Sequence, residues 1–529
     1  MKNITSKKLI LFVGGVLFIW LFLATFPGCG EDQSQSKGEK LAQQYCGTCH
    51  QAPSPDFLTK KSWNYLLTYM GYYMGIVDNS HLEGSATVVA NNIKSKEMML
   101  RFSGLIPDQP MVTDEEWEAI RTYFQENAPV DPIPQTLEKN IIDSLPQFAL
   151  RIPNYQPPAA QVTMVKIDDK TGNILIANNQ DQSLNMLNGD LKVEKSYLGN
   201  ELIVDLIEED NHQYFLSIGD LEGKYVGLAK GYMILMTGGD WQNLRLYGRI
   251  LSSLHRPASM ELADLNLDGV NELIVCNFGD TKGSLEIYEQ KSESKFELSQ
   301  TLVNLPGIIK THVQDFDQDG LPDIAVLMGH ARENVSLFFN QGNNQFKQKQ
   351  VVESHSAYGY TYFEVHDFNQ DGWMDIMTVN GDSDADPYNT LKNYHGIRIY
   401  LNDGKQNFEQ AWFYPMYGVH FARAADFDED GDLDIAATSF FPDFEEEQPE
   451  QFVYLENHGN FQFQPYTHPE TYDGRWMVMD IGDIDRDGDI DLVLGAAYIP
   501  LGMAVSYPEK LAELREKGKA VLVFENLLR

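Results

Sequence analysis

Cysteine and positive charge are the two things this sequence has little of. Its 529 residues hold four cysteines, Cys29, Cys46, Cys49 and Cys276. So few thiols exclude a disulfide framework. They exclude a zinc cage as well, because beyond Cys46 and Cys49 no second CxxC or Cys/His pair exists to complete four ligands. Lys and Arg number 40 against 77 Asp and Glu, a net charge of −37. A surface of that sign repels phosphate, so nucleic acid is excluded as a partner. Phosphate loops, dinucleotide fingerprints and nucleophile motifs are missing too. Acidity does not mean disorder here: aromatics make up 12% of the chain, and short apolar runs recur along it. The length is that of roughly two to four domains.

Long hydrophobic runs are also scarce, and the conspicuous one is terminal. Lys2, Lys7 and Lys8 precede an apolar stretch from Leu9 to Phe26, which ends in Phe26-Pro27-Gly28-Cys29. Gly28 before Cys29 resembles a bacterial lipoprotein cleavage site, although Phe26 and Pro27 depart from the usual Leu and small polar residue. Residues 1–29 are therefore expected to be a signal with lipidation at Cys29, or else an uncleaved membrane anchor. Residues 30–36 form a polar tether. Either alternative implies an exported, membrane-tethered body on the periplasmic or cell-surface face of a bacterial envelope.

Cys46-Gly47-Thr48-Cys49-His50 is what the two central cysteines serve. Two thiols three positions apart and an adjoining imidazole are the attachment pattern of a c-type haem, the cysteines bonding the vinyl groups and His50 the iron. Ser36 with Glu39 reads as a capping box opening the helix that carries this motif, and a second helix is expected over about 60–73. Thr113 with Glu116 is another capping box, followed by Trp117, Ile120 and Phe124 on one helical face. Met111 lies 61 residues after His50, just ahead of that helix. This order resembles class I cytochromes c over 36–127. The resemblance implies one covalent haem c held by Cys46, Cys49 and His50, with Met111 as the sixth ligand and an electron-transfer role. Met70, Met74, Met98 and Met99 are read as packing residues. The haem domain is expected over 37–128, with a proline-punctuated linker over 129–147.

The remaining sequence repeats. Asp-x-[Asp/Asn]-x-Asp-Gly-x-x-[Asp/Glu] occurs five times, its first residues 51, 52, 59 and 57 apart. The oxygen-bearing positions are Asp264, Asn266, Asp268 and Glu272; Asp315, Asp317, Asp319 and Asp323; Asp367, Asn369, Asp371 and Asp375; Asp426, Asp428, Asp430 and Asp434; and Asp483, Asp485, Asp487 and Asp491. Oxygens at alternate positions, a glycine for the turn and a closing acid suit Ca²⁺, which takes roughly six to eight oxygen ligands. Each closing acid opens a strand run such as Leu273-Ile-Val, so the context is strand–loop–strand rather than an EF-hand. The motif resembles FG-GAP/VCBS repeats, which implies β-propeller blades with calcium in the loop between the first two strands, up to five ions here. Two degenerate units, around 205–217 and 164–178, bring the blade count to seven. The run 148–152 is expected to complete the last blade and close a ring over 148–529.

The fold class expected is therefore multidomain: a small all-α cytochrome c domain plus an all-β seven-bladed propeller with calcium-binding loops. Three residues before each leading Asp, on strands expected to be innermost, stand Glu261, His312, Glu364, Arg423 and Asp480. They read as a ring of ion pairs or as a channel site, in which His312 or Glu364 acts as general base. Arg256, Lys310, Tyr362, His420 and Arg475 are expected to rim the same mouth. The function expected is electron transfer to a redox partner protein, with the propeller as a binding or docking module. The alternatives are a propeller acting on sugar derivatives, coupled to the haem, or a carbohydrate- or protein-binding adhesive module with a structural haem domain.

Overall fold

A computed structural model describes residues 35–199, 202–219, 221, 228–446 and 449–528. Cys29 and the apolar run before it lie outside these residues. Among the described residues no helix is long and apolar enough to cross a membrane.

Strand runs of period two, separated by Gly/Asp turns, form seven four-stranded antiparallel sheets. Six are consecutive meanders, blades 1 to 6. Their first strands are Val162–Asp168, Ile203–Glu209, Pro257–Ala263, Ile308–Gln314, Tyr360–His366 and Val419–Ala425. Blade 7 is built from both ends of the propeller. Trp476–Gly482, Asp491–Ala496 and Val521–Asn526 are followed in the sheet by Phe148–Arg151, with Phe148 opposite Asn526. The first strands of successive blades touch one another around the ring, blade 7 against blade 1 included, so they are the innermost. Second strands such as Asp323–Met328 and Asp434–Ser439 are buried at every position, which is why they read as unbroken apolar runs rather than alternating ones. Fourth strands such as Phe346–Glu353 face water along most of their length.

Four helices precede the propeller: α1 (Lys37–Cys46), α2 (Lys60–Tyr73), α3 (Thr87–Phe102) and α4 (Asp114–Asn127). The predicted capping box is present at α4, with Glu116 N donating to Thr113 Oγ1 and Thr113 N to Glu116 Oε2. Gly38 is where α1 crosses α4, and a Cβ there would stand 2.3 Å from Ala119 O. Trp63, Ile120 and Phe124 fill the space between the helices, with the Trp63 and Phe124 rings 4.4 Å apart.

The helices and the propeller belong to one compact unit, Lys37–Arg529. The joint is built by blade 5, whose second and third strands are separated by a long loop over 381–395. Ser62 Oγ of α2 donates to Asp386 Oδ2 (2.7 Å) and lies 2.5 Å from Thr390 Oγ1. Phe57 stacks on His355 at 3.8 Å, and Tyr388 packs against the helical core. The linker 129–147 is pinned along the propeller. Gln135 N donates to Tyr417 OH, Lys139 pairs with Glu450, and Ile142 exchanges backbone bonds with Pro465 and Thr467.

Candidate functional site

The haem-type motif sits where α1 ends. Cys46 is its last residue, and Cys49 and His50 occupy the turn that follows. Cys46 and Cys49 are both unbonded, and burial pushes the Cys46 thiol up to about 11. At neutral pH it is therefore a thiol rather than a thiolate nucleophile. The imidazole of His50 is oriented by its neighbour: Nδ1 lies 2.9 Å from Gln51 O. A carbonyl can only accept, so Nδ1 carries the proton and Nε2 keeps its lone pair for a metal. Tyr45, Met70, Tyr73 and Met99 border the helical core together with Cys46. Two unbonded thiols, an imidazole with Nε2 available and an apolar, aromatic border fit the chemistry of covalent haem attachment. Met111 N donates to Met74 O (2.9 Å), which fixes its loop at the end of α2, and its side chain is exposed.

The five acidic loops share one backbone. The fourth residue of each (Leu267, Gln318, Gln370, Glu429, Arg486) has φ between 58° and 66°, and the following Gly, two positions on, between 87° and 99°. Nothing lies within 4 Å of where a Cβ would sit on Gly269, Gly320, Gly372 or Gly431. Conformation, not crowding, thus demands those glycines. The leading carboxylate organises the turn: Asp315 Oδ1 accepts from Asp319 N (3.1 Å) and Oδ2 from Gly320 N (2.9 Å), and Asp264 and Asp367 do the same.

The closing acids have a second job that the motif alone did not reveal. Asp323 accepts from Phe316 N in its own loop and from Asn340 N at the end of the third strand. Asp375, Asp434 and Asp491 repeat this with Asn402, Asn457 and Asn526. Burial, with nearby carboxylates adding, pushes Asp323 and Asp375 up to about 6 and Asp434 and Asp491 to about 7. A bound cation would reverse that repulsion. In three loops carboxylate oxygens come within 4.8 Å of one another: Asp315, Asp317 and Asp323; Asp426, Asp428 and Asp430; Asp483, Asp485 and Asp491. The other two copies carry Asn at the third position. There the amide turns to an acid, Asn266 Nδ2 to Glu272 and Asn369 Nδ2 to Asp371.

The axial residues are brought together, and most bind one another or the next blade. Glu261 Oε1 accepts from Val313 N, Glu364 Oε2 from Ala424 N, and Asp480 Oδ2 from Ile167 N, each 2.8–2.9 Å into the following blade. Asp205 does the same to Met260 N. Arg423 lies between two of these carboxylates. Its Nε is 2.8 Å from Glu364 Oε1 but off the N–H direction, so the contact is ionic, while Nη1 bonds Asp480 Oδ1 at 3.1 Å. Burial raises Glu364, but Arg423 and His366 outweigh it and hold the carboxyl below its usual range. Burial, Lys310 and His366 push His312 down to about 4, so it is neutral at pH 7.

The expected rim divides. Lys310 and Tyr362 join the axial network through a 3.0 Å bond. Arg475 is buried, donating to the carbonyls of Phe440, Ile499 and Leu501, and is a structural tie rather than a rim group. Arg256 pairs with Asp280 and is likewise not part of the axial network.

Comparison with known proteins gives the following. The FG-GAP-like repeat model matches residues 315–378 and 379–437. A search of curated proteins returns no match. Similar solved structures include BBS1N in complex with ARL6DN, at 10% identity over 74% of this chain and 98% of that one, TM-score 0.42. A protein from Lactobacillus plantarum matches at 9% identity over 60% and 88%, TM-score 0.40. Dihydro-heme d1 dehydrogenase NirN in complex with DHE matches at 12% over 87% and 85%, TM-score 0.35. The chain carries FG-GAP-like repeats within a seven-bladed β-propeller.

Proposed function

We propose that this chain is an exported, membrane-tethered electron carrier. One haem c is bound covalently through Cys46 and Cys49 with His50 as iron ligand, and the propeller serves as its binding or docking module. The observation that carries this reading is the Cys46–His50 segment itself. Both thiols are unbonded at a helix end, and His50 Nδ1 is engaged by Gln51 O, which leaves Nε2 as the nitrogen that would take the iron. Such a haem supplies one-electron transfer. The chain's own residues hold and shield: α1 presents the thiols, Gln51 orients the imidazole, and Tyr45, Tyr73 and Met99 restrict water. Met111 is the proposed sixth ligand.

Calcium in the acidic loops belongs to the same reading, as a brace between the first and second strands of blades 3 to 7. The three carboxylate triads are its strongest sites. Lipidation at Cys29 and a redox partner protein complete it. The axial network gives the catalytic alternative little support, because Glu364, Arg423 and Asp480 are spent on one another and on neighbouring blades.

The test is expression of the full chain in a host that attaches c-type haem. The product should keep its haem through denaturation, and Cys46→Ala with Cys49→Ala should abolish that retention. Haem that extracts freely from the unsubstituted protein refutes the reading.

A further inference from the structure

A cavity of about 440 Å³ opens between α2 and α4. Lys60 and Asn64 line it from α2, Glu118, Arg121 and Glu126 from α4, and His81 from the short turn Ser80–Leu82. Ser62 of α2 bonds the propeller, and Lys60 and Asn64 each lie about 160° around the helix from it. The cavity therefore faces away from the propeller. The residues that border the Cys46–His50 segment, Tyr45, Met70, Tyr73 and Met99, are not part of its lining.

Arg121 is the unusual member. It is 4% exposed, yet it forms no ion pair among the described residues. Its Nη2 donates to Asn64 Oδ1 over a long 3.3 Å, and its buried Nη1 has no acceptor there. The nearby Asp78 carboxylate is taken up by Ser80 N and His81 Nε2. A guanidinium stays charged at neutral pH, so this is a buried cation with part of its hydrogen bonding unmet. Lys60 brings a second cation without an ion pair among the described residues, and its carbonyl accepts from Gln125 Nε2, which braces α2 against α4. Glu118 and Glu126 stand exposed on the lip, one helical turn before and after Thr122. Neither carboxylate has an ion pair among the described residues.

We propose that this cavity binds a small zwitterion, an α-amino acid, with its carboxylate on Arg121 and Lys60 and its ammonium on the lip acids Glu118 and Glu126. The carboxylate is the acceptor that the Arg121 guanidinium lacks, and the pairing of the two is charge-assisted. A bare anion is disfavoured by the lip acids and by the chain's net charge of −37. A bare cation is disfavoured by Arg121 and Lys60. A ligand carrying both charges answers both halves of the lining. The volume falls within the range of small-molecule sites, roughly 300–1,000 Å³. This binding goes beyond the electron-transfer reading and does not depend on the haem.

The experiment is isothermal titration calorimetry of the full chain with glycine, L-alanine, L-glutamine and L-glutamate. Acetate and methylamine, each carrying one half of the zwitterion, are the comparators. At least one of the four amino acids should bind, and more tightly than either half. Arg121→Met should weaken that binding about tenfold or more, the loss of one hydrogen bond to a charged group. Lys60→Ala, at a half-buried position, should weaken it as well and keeps the test open if Arg121→Met does not fold. Arg245→Ala, on an exposed outer strand of blade 2, should leave it unchanged. The proposal is overturned if none of the four amino acids binds, if acetate binds as tightly as they do, or if binding survives Arg121→Met or, failing that variant, Lys60→Ala.

Discussion

Replacing Arg423 by Met tests whether the axial residues hold the ring or serve chemistry. The guanidinium faces Glu364 at 2.8 Å and Asp480 at 3.1 Å, and these carboxylates are 9% and 4% exposed. Methionine of similar length leaves two buried anions without their shared cation. Removing one partner of a buried ion pair costs about 3–5 kcal/mol. Here the lower end is expected, because Ala424 N and Ile167 N still bond the two acids and Lys166 lies 3.7 Å from Asp480. A loss of about 3 kcal/mol should appear in urea unfolding at pH 7. Glu364→Gln added to Arg423→Met should restore about 1–2 kcal/mol of it, since the amide oxygen still accepts from Ala424 N and one stranded charge is gone. The Glu364 pKa is lowered in the folded state. Its contribution is thus complete above the unfolded value of roughly 4.3 and is lost as pH falls through the folded one, so the Arg423→Met deficit should shrink only in that acid range. A deficit under about 1 kcal/mol, or a double variant no more stable than the sum of the singles, refutes the holding role of Arg423.

Phe148→Ala should cost about 3–5 kcal/mol, because the ring is 6% exposed and meets Tyr454 at 5.3 Å and Phe427 at 6.0 Å; a melting curve like that of the unsubstituted protein would count against ring closure through this strand. Chelation with EGTA should lower the melting temperature, by a free energy of about 2.7 kcal/mol per site at a hundredfold excess of calcium over its dissociation constant. Asp317→Asn should blunt that response, and no response at all removes calcium from these loops. His312 and His420 are both pushed down to about 4 by burial, with neighbouring cations adding. Their stabilisation is complete above the unfolded value near 6.5 and declines as pH falls towards 4, so substituting either by Gln should flatten the stability profile in that window. Met111→Ala should lower the midpoint potential of the haem-loaded protein, whereas Met98→Ala should not.

The repeats made most of the architecture readable. Seven sheets and the return of 148–152 to the last one follow from a motif whose glycine and acids are dictated by a single turn. The helix over 87–102 was not anticipated, because only Val89, Ile93 and Leu100 are buried on it and Met98 and Phe102 lie exposed. The ten-residue helix α5 (Pro508–Lys517) inserted in blade 7 escaped for a similar reason, with Leu511 and Leu514 alone buried. The axial register named side chains that the fold does bring together, but their partners come from neighbouring blades some 50 to 60 residues away, beyond any local pattern.

Sharing blade 7 between residues 148–151 and 521–526 sets a timetable for synthesis. Blades 1 to 6 can each form from contiguous chain, but the circle cannot close until residues 521–526 have been made to meet Phe148–Arg151. The seat for α2, Asp386 and Thr390, lies 324 and 328 residues beyond Ser62, so the helices cannot dock until blade 5 has been made.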